Sequence, residues 1–494
     1  MRTSENENKN NNATGDDSNS NNNSSNNINN NDYYYSKHIR SYHDHYINGK
    51  WTRPSHQNTG TIDVIDSNHG RAVATVPRGT EDDTLRAIEA AKNALPMWSQ
   101  QTTPTERVNC IKVFLEHFQA DHRIDEMVDR LSIELGCTQA FARNAQIVAP
   151  VYTTQALLDL LDNNNSSFEW EYSAGTCTVV KEPIGVVGAI TPWNYPLHQI
   201  ALKVIPALVA GCTVVLKPSE VTPLTAYSFA EAMDEAGFPE GVFNMVLGEG
   251  SSCGEILAKH PSVDLVSFTG STKVGQILTK AAANSGTMKT VRTELGGKSA
   301  AVLLDDADFE RVVPAFVKQL TSNTGQSCNA LSRMLVPRDH CDRVLEIATI
   351  TMEQEIVGCG ATNPNATIGP LASETQYDSV RSYIESGIRE GARVVTGGLE
   401  LPKGIETTTS GGGGGYFVRP TLFADVTNDM TIAREEIFGP VLCVIPYDTD
   451  DEAIALANDT PYGLSNAVAS GDLQRALGVA SKLESGMVSH KLLQ

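Results

Sequence analysis

Between residues 185 and 286 the sequence alternates four times between a short strand-like run and a segment of helical spacing. The runs GVVGAI (185–190), TVVLKP (213–218), FNMVLG and DLVSFTG (264–270) are largely apolar along their whole length, which is typical of strands buried on both faces. Strands that are separated by helices of this size pair in parallel. The pattern therefore predicts an α/β fold with a Rossmann-like, doubly wound parallel sheet.

Further elements are predicted on both sides of this core. Apolar positions at helical spacing follow Thr80 and recur over 104–120 and 141–162, which predicts three helices. The segment FEWEYSAGTCTVVKEP (168–183) is rich in aromatic and β-branched residues and predicts a β excursion. A second α/β segment begins near KSAAVLLDDAD (298–307) and continues through PVLCVIPYDTDDEAIALAN.

The charge balance of the chain argues against some classes of partner. The net charge of -21 over 494 residues disfavours nucleic acid and anionic membrane surfaces, because both are polyanions. The chain contains no run of eighteen apolar residues, so we expect no membrane span. Its nine cysteines show no C-x-x-C pair and no regular framework, which is typical of free thiols in a reducing compartment. We therefore expect a cytoplasmic protein without a metal site, with organellar targeting left open.

The N-terminal segment, residues 1–40, has a composition unlike the rest of the chain. It begins MRTSENENKNNNATGDDSNSNNNSSNNINNND and is dominated by asparagine and serine. Such a segment cannot bury enough apolar surface to fold, so we predict a disordered tail. It lacks the apolar stretch of a secretory signal peptide.

Two turns at the ends of predicted strands are suited to bind a dinucleotide. In FTGSTKVG, residues Gly270, Ser271 and Thr272 would present backbone N–H groups at a helix N-terminus, where a pyrophosphate is stabilised. In LKPSE, Lys217 and Glu220 are placed to hydrogen-bond ribose hydroxyls. The alternatives are a plain tight turn for the first motif and a solvated charge pair for the second.

Three other groups are suited to acyl transfer. Asn194 in ITPWNYP carries an amide that can donate to an oxyanion, and Glu294 in TELGGKSA carries a carboxylate that can act as a general base. Cys328 in NTGQSCNALSR is an isolated cysteine among small and polar residues, and a thiolate there could act as a nucleophile. The alternatives are structural turns and a cysteine that packs as a small hydrophobic residue.

The motifs TPWNYP, KPSE, FTGSTKVG, ELGGKSA, GQSCNA and EEIFGPV occur together in this order. From about residue 46 almost to the C-terminus, the chain resembles the aldehyde dehydrogenase superfamily, in its NAD(P)-dependent, hydrolytic type. The resemblance implies an NAD-binding domain over 41–163 and 184–296, and a second α/β catalytic domain over 297–494. It also implies a small β oligomerisation element over 164–183.

The resemblance also implies an activity and the residues that perform it. The expected reaction is the NAD-dependent oxidation of an aldehyde to a carboxylic acid. Cys328 would attack the aldehyde to give a thiohemiacetal, and Asn194 with the N–H of Cys328 would hold the oxyanion. Glu294 would help to deprotonate the thiol and activate the water that hydrolyses the thioester. Its presence favours hydrolysis over transfer to coenzyme A.

The cofactor residues implied by the resemblance come from several turns along the chain. They are Trp193, Lys217, Glu220, Gly250, Gly254, Gly270, Ser271, Gly275, Glu436 and Phe438. The carboxylate of Glu220 favours NAD, while NADP remains possible. The residues expected to line the aldehyde tunnel are Tyr195, Leu202, Ser327 and Asn329.

The C-terminus departs from the family pattern. After ESGMVSH (484–490), family members continue with a segment that shapes the aldehyde pocket and with a strand that completes the partner subunit's sheet, whereas this chain ends in KLLQ. We therefore expect a truncated catalytic domain. The missing strand also argues against the homo-oligomer that is usual in the family. The alternative function is a family member that binds the dinucleotide but is catalytically impaired.

Overall fold

The computed structural model describes residues 38–56, 60–161, 168–405 and 414–491. The predicted disordered tail, 1–40, lies outside these ranges except for its last three residues.

The strands of the described chain form two large sheets and two hairpins. They are β1 (His45–Ile47), β2 (Lys50–Thr52), β3 (Thr61–Asp66), β4 (Arg71–Pro77), β5 (Glu171–Ala174), β6 (Cys177–Val180), β7 (Val186–Ile190), β8 (Thr213–Lys217), β9 (Phe243–Met245), β10 (Leu265–Thr269), β11 (Thr290–Glu294), β12 (Ala300–Leu303), β13 (Arg333–Pro337), β14 (Arg393–Thr396), β15 (Thr421–Ala424), β16 (Val441–Tyr447), β17 (Ser465–Ala469) and β18 (Met487–Lys491).

The α-helices cover the sheets and connect their strands. They are α1 (Glu81–Pro96), α2 (Pro104–Phe118), α3 (Asp121–Glu134), α4 (Gln139–Phe141), α5 (Val148–Leu161), α6 (Pro196–Val209), α7 (Pro223–Glu235), α8 (Glu255–Lys259), α9 (Thr272–Ala283), α10 (Phe309–Thr321), α11 (Cys341–Glu353), α12 (Glu374–Arg389), α13 (Thr431–Arg434), α14 (Asp450–Asn458) and α15 (Leu473–Ala480).

The first sheet has the strand order β11-β10-β7-β8-β9-β1-β2, and β7 to β11 run parallel to one another. Every residue of β7 and β8 is buried, because helices cover both faces of the sheet. The predicted doubly wound α/β fold is confirmed. In a sheet of this kind the turns after the carboxyl ends of the strands form the ligand crevice.

The second sheet has the order β14-β15-β16-β13-β12-β17-β18, with only β14 antiparallel to its neighbour. Strands β13 and β16 are adjacent and parallel, so the segments that precede these two strands reach the sheet at the same edge. Cys328 lies on the segment before β13, and Glu436 and Phe438 lie on the segment before β16. Strand pairing therefore brings together residues that are more than a hundred positions apart in sequence.

Two of the predicted helices show how their ends are set. The Thr80 side chain and Asp83 form a reciprocal capping box at the start of α1. The helix predicted over 141–162 is interrupted, because a π-helical turn over Ala142–Gln146 separates α4 from α5. The predicted helix is confirmed from Val148 to Leu161, and the wide turn before it directs Gln146 towards the candidate site described below.

The predicted β excursion is the hairpin β5–β6, whose residues are almost all exposed. The two large sheets use strands on either side of residue 297, while the division of the chain into two domains stays a prediction. Among the described residues, no helix has both the length and the apolar character needed to cross a membrane.

Candidate active site

A cleft of about 270 Å³ lies where turns from the first sheet meet segments that enter the second sheet. All three predicted catalytic residues and several predicted cofactor residues line it. The lining includes Trp193, Asn194, Gly270, Ser271, Glu294, Cys328, Glu436 and Phe438, together with Tyr195, Gln199, Thr269 and Gln376.

Cys328 lies a few residues after an unusual left-handed turn. Asn323, Thr324 and Gly325 have φ angles of 51°, 56° and 75°, which form a short 3₁₀ segment at the end of α10. A Cβ atom on Gly325 would lie 2.1 Å from the carbonyl carbon of Gly439, so only glycine fits there. The cysteine loop is therefore packed directly against the segment that carries Phe438.

Burial raises the pKa of the Cys328 thiol, and the negative charges of Glu436 and Glu294 act in the same direction. The backbone N–H groups of Cys328 and Asn329 stabilise the thiolate and oppose this rise in pKa. In the absence of a cationic ligand the thiol is therefore mostly protonated at neutral pH. A cation held between the two carboxylates would favour the thiolate.

This balance predicts how alkylation of Cys328 depends on pH. Since the pKa lies above its ordinary value, the thiolate fraction and the alkylation rate should rise about tenfold per pH unit between pH 7 and 9. The measurement is the rate of iodoacetamide incorporation at this cysteine, followed by peptide mass spectrometry on the cofactor-free protein. A plateau below pH 8 would show that the thiol is more acidic than its surroundings imply.

Asn194 follows β7 and is 6% exposed. Its Nδ2 donates to the carbonyl oxygen of Gln326, 3.0 Å away, on the segment that leads to Cys328. An amide nitrogen carries two hydrogens, so the second one can donate to an oxygen bound in the cleft. The amide is thereby oriented by the cysteine loop itself.

Glu294 is the last residue of β11, and its side chain is exposed to the cleft. Its charge acts on Cys328 and also on Lys203, which lies on α6. Lys203 Nζ donates to Thr269 Oγ1 at 2.7 Å, and burial lowers the pKa of Lys203 to about 8 while Glu294 opposes that shift. The carboxylate therefore has a thiol and a buried amine in its electrostatic surroundings.

The predicted ribose ligands form an ion pair at the end of β8. Lys217 Nζ lies 2.7 Å from Glu220 Oε2, with Lys217 almost fully buried and the Glu220 side chain 41% exposed. The predicted charge pair is thus present, but one of its members is buried. The buried lysine orients a carboxylate that still has an exposed edge for a hydroxyl donor.

The predicted pyrophosphate turn has the expected form with one correction. Ser271 caps α9 by accepting from the N–H of Val274. The N–H of Gly270, however, donates to the carbonyl oxygen of Glu294, 3.1 Å away, so it is not presented to a ligand as predicted. The parallel pairing of β10 with β11 uses this donor. A Cβ on Gly270 would lie 2.5 Å from the Phe268 ring, so the glycine is required by packing.

The remaining predicted cofactor glycines lie on helical segments, and none of them lines the cleft. Gly250 and Gly254 begin and end a π-helical turn before α8, and a Cβ on Gly250 would meet no atom within 4 Å. Gly275 is buried in α9, where a Cβ would lie 2.8 Å from Leu295 Cδ2. Gly275 therefore serves close packing, whereas Gly250 faces open space.

Glu436, Phe438 and Trp193 form one wall of the cleft. Glu436 Oε1 accepts from the N–H of Gly297 at 3.0 Å, and burial raises the pKa of Glu436. The rings of Trp193 and Phe438 meet edge to face with centroids 5.3 Å apart. Phe438 has a φ angle of 57°, which is rare for an aromatic residue. This wall thus combines an aromatic surface with a carboxylate that has one oxygen hydrogen-bonded to the Gly297 N–H.

The four predicted tunnel residues are not all brought together. The hydroxyl groups of Tyr195 and Ser327 lie 2.8 Å apart, and both residues are largely buried. Leu202 and Asn329 are exposed, and neither lines the cleft. Their place in a substrate tunnel therefore stays a prediction, while Tyr195 lines the cleft and its partner Ser327 directly precedes Cys328 in the chain.

Two groups near the cleft were missed at the level of sequence. Lys203 could have been noticed as the only charged residue in the apolar segment PLHQIALKVIPALVAG. Gln376 on α12 donates to the carbonyl oxygens of Ile437, at 3.3 Å, and Phe438, at 2.9 Å, and so holds the Phe438 segment. No local sequence signal marks Gln376, because its partners lie about sixty residues away.

Comparison with known proteins gives a consistent result over most of the chain. The profile of the "Aldehyde dehydrogenase family" matches residues 51–491. A 3-succinoylsemialdehyde-pyridine dehydrogenase from a Pseudomonas species is 45% identical over 91% of both chains. Among solved structures, a mutant of aldehyde dehydrogenase C from Pseudomonas syringae, in complex with NAD+ and octanal, is 41% identical with a TM-score of 0.86, over 92% of this chain and 89% of that one. A Mycobacterium tuberculosis aldehyde dehydrogenase complexed with NAD+ is 37% identical with a TM-score of 0.85, over 92% and 91%.

Proposed function

This chain belongs to the aldehyde dehydrogenase family and is an NAD-dependent aldehyde dehydrogenase, and from that premise we propose which of its residues perform the reaction. Cys328 is the nucleophile, Asn194 is the oxyanion donor and Glu294 is the general base. The observation that carries this proposal is that all three line one cleft although they come from three separate segments of the chain. That convergence is what an acyl-transfer site requires.

The proposed steps follow from the chemistry of these side chains. The Cys328 thiolate attacks the carbonyl carbon of the aldehyde, and the carbonyl oxygen becomes the oxyanion of a thiohemiacetal. Asn194 Nδ2 and the N–H of Cys328 donate to that oxygen. After oxidation the acyl group is held on Cys328 as a thioester. Glu294 takes a proton from water, the hydroxide attacks the thioester carbonyl, and the carboxylic acid leaves as the thiol is restored.

The residues around the cleft suit a dinucleotide. When bound, NAD supplies the acceptor for the hydride that leaves the thiohemiacetal carbon. The buried Lys217 and its partner Glu220 would hold the adenosine ribose, and the capped N-terminus of α9 at Ser271 would face the pyrophosphate. Glu436 and Phe438 would hold the ribose and ring at the other end.

The carboxylate of Glu220 should set the preference for NAD over NADP. A 2′-phosphate would place negative charge against this carboxylate, so Glu220→Gln is expected to lower KM for NADP by about tenfold and to change KM for NAD by less. The measurement is initial-rate kinetics with each cofactor. Glu240→Gln is the matched control, since Glu240 pairs with Lys50 at the β1–β2 turn and its loss changes the net charge equally. An equal effect of both variants would exclude a direct role for Glu220.

The proposed function is tested by NADH formation with the purified 494-residue chain. We propose to assay octanal, benzaldehyde and the semialdehyde named for the 45% identical relative, because these differ in length, aromaticity and polarity. Turnover with any of them is the expected result, and the ranking would define the aldehyde class. Retained NAD binding without turnover of any aldehyde would favour the alternative of a catalytically impaired binding protein.

A further inference from the structure

We propose that Gln146 and Asn323 are positioning residues that fix the oxyanion donor from two sides. The inference rests on the proposed role of Asn194. It concerns the main-chain carbonyl of Asn194 rather than its side chain. That carbonyl oxygen accepts a hydrogen bond from Gln146 Nε2 at 2.9 Å and a second from Asn323 Nδ2, also at 2.9 Å.

The two donors reach this carbonyl from different parts of the fold. Gln146 is the last residue of the π-helical turn that interrupts the helical region before α5. Asn323 is the first left-handed residue of the turn that leads to Cys328. Gln146 is fully buried and Asn323 is 5% exposed, so bulk solvent does not compete for the hydrogen bonds of either amide. Both donors are thus presented by irregular backbone, which is frequent at functional sites.

Fixing this carbonyl fixes the direction of the Asn194 side chain. The peptide group after Asn194 is planar, so two hydrogen bonds to its oxygen hold the plane and with it the Cα–Cβ direction. The side chain is then tied through Nδ2 to the Gln326 carbonyl, which also accepts from Asn323 Nδ2 at 3.2 Å. Gln326 in turn donates to the Asn323 carbonyl and accepts from the N–H of Ala372. The oxyanion donor and the cysteine loop are therefore held in one network.

The test uses variants that remove each donor. Gln146→Met keeps the length of the side chain, and Asn323→Gly suits the left-handed backbone. Each is expected to lower the single-turnover rate of acylation by about tenfold, because misplaced catalytic groups lose rate steeply. NAD affinity and the rate of Cys328 alkylation should stay within about twofold, since neither uses the oxyanion donor. Gln155→Met, on the exposed face of α5 where Gln155 donates to Asp159, is the matched control and should leave all three unchanged.

A double-mutant cycle with Asn194→Ala decides between positioning and a general structural role. If the two residues act through Asn194, Gln146→Met and Asn323→Gly will cause no further loss of acylation rate in the Asn194→Ala background. Full additivity, or an equal loss of Cys328 alkylation, would overturn the inference. Should Gln146→Met not fold, Asn323→Gly decides alone. An Asn194→Ala protein with an unchanged acylation rate would instead overturn the proposed role of Asn194, and this inference with it.

Discussion

Replacing Cys328 by alanine is expected to lower NADH formation by at least about 10⁴-fold with every aldehyde, because the covalent route is lost. The thiol shares the cleft with the amide of Asn194 and the carboxylates of Glu294 and Glu436, which are far weaker nucleophiles than a thiolate. NAD affinity should be retained, because the groups proposed to hold the cofactor are untouched. The measurements are absorbance at 340 nm under saturating aldehyde and a binding titration with NAD.

The control for this variant is Cys341→Ala. Cys341 is also only partly buried, and burial raises the pKa of its thiol too, but it lies at the start of α11 and does not line the cleft. Its replacement should leave the rate within about twofold. Activity that survives Cys328→Ala, or is lost equally in both variants, would contradict the nucleophile assignment.

Glu294→Gln is expected to separate the two halves of the reaction. Acylation of Cys328 should still release about one NADH per active site in a burst, and steady-state turnover should fall by about 10²–10⁴-fold because water is no longer activated. The amide keeps the size of the side chain at the end of β11 and removes its basicity. Rapid-mixing kinetics gives the burst amplitude, and mass spectrometry of the quenched protein should show the acyl group on Cys328.

Glu310→Gln provides the comparison, since this glutamate pairs with Arg343 on the surface and its side chain is 60% exposed. It should show neither a burst nor a fall in turnover. A Glu294→Gln protein that loses the burst together with turnover would mean that Glu294 acts mainly in activating the thiol. Unchanged turnover would remove Glu294 from the mechanism.

The strand-end residues of the first sheet could be predicted because their positions follow from local pattern. Apolar strands and helical spacing place Asn194, Lys217, Ser271 and Glu294 at one edge, since parallel strands end together. The meeting of that edge with Cys328 depends on the pairing of β13 with β16 and on packing between distant segments, which periodicity does not encode. The family resemblance supplied this part of the prediction.

What the sequence did not reveal are groups whose partners are main-chain atoms. The donors Gln146 and Gln376 bond to carbonyl oxygens, and a carbonyl is the same at every residue, so no motif identifies such pairs. The hydrogen bond from the Gly270 N–H to the Glu294 carbonyl oxygen, which makes this N–H unavailable to a ligand, was missed for the same reason. The π-helical turn at Ala142–Gln146 shifts side-chain directions in a way that helical spacing alone does not show.

The distribution of left-handed residues has a consequence for protein engineering. Of the five non-glycine residues with positive φ in the described chain, Asn323, Thr324 and Phe438 lie beside the cleft, and the others are Asn48 and Asp425. Each such residue costs on the order of 1–3 kcal/mol when its conformation is disfavoured. Replacing these residues by glycine to raise thermal stability would relieve most of the backbone strain beside the cleft, where three of the five lie. Turnover depends on the present backbone at those three positions. Asn48 and Asp425 are the positions where such relaxation can be sought without touching the reacting groups.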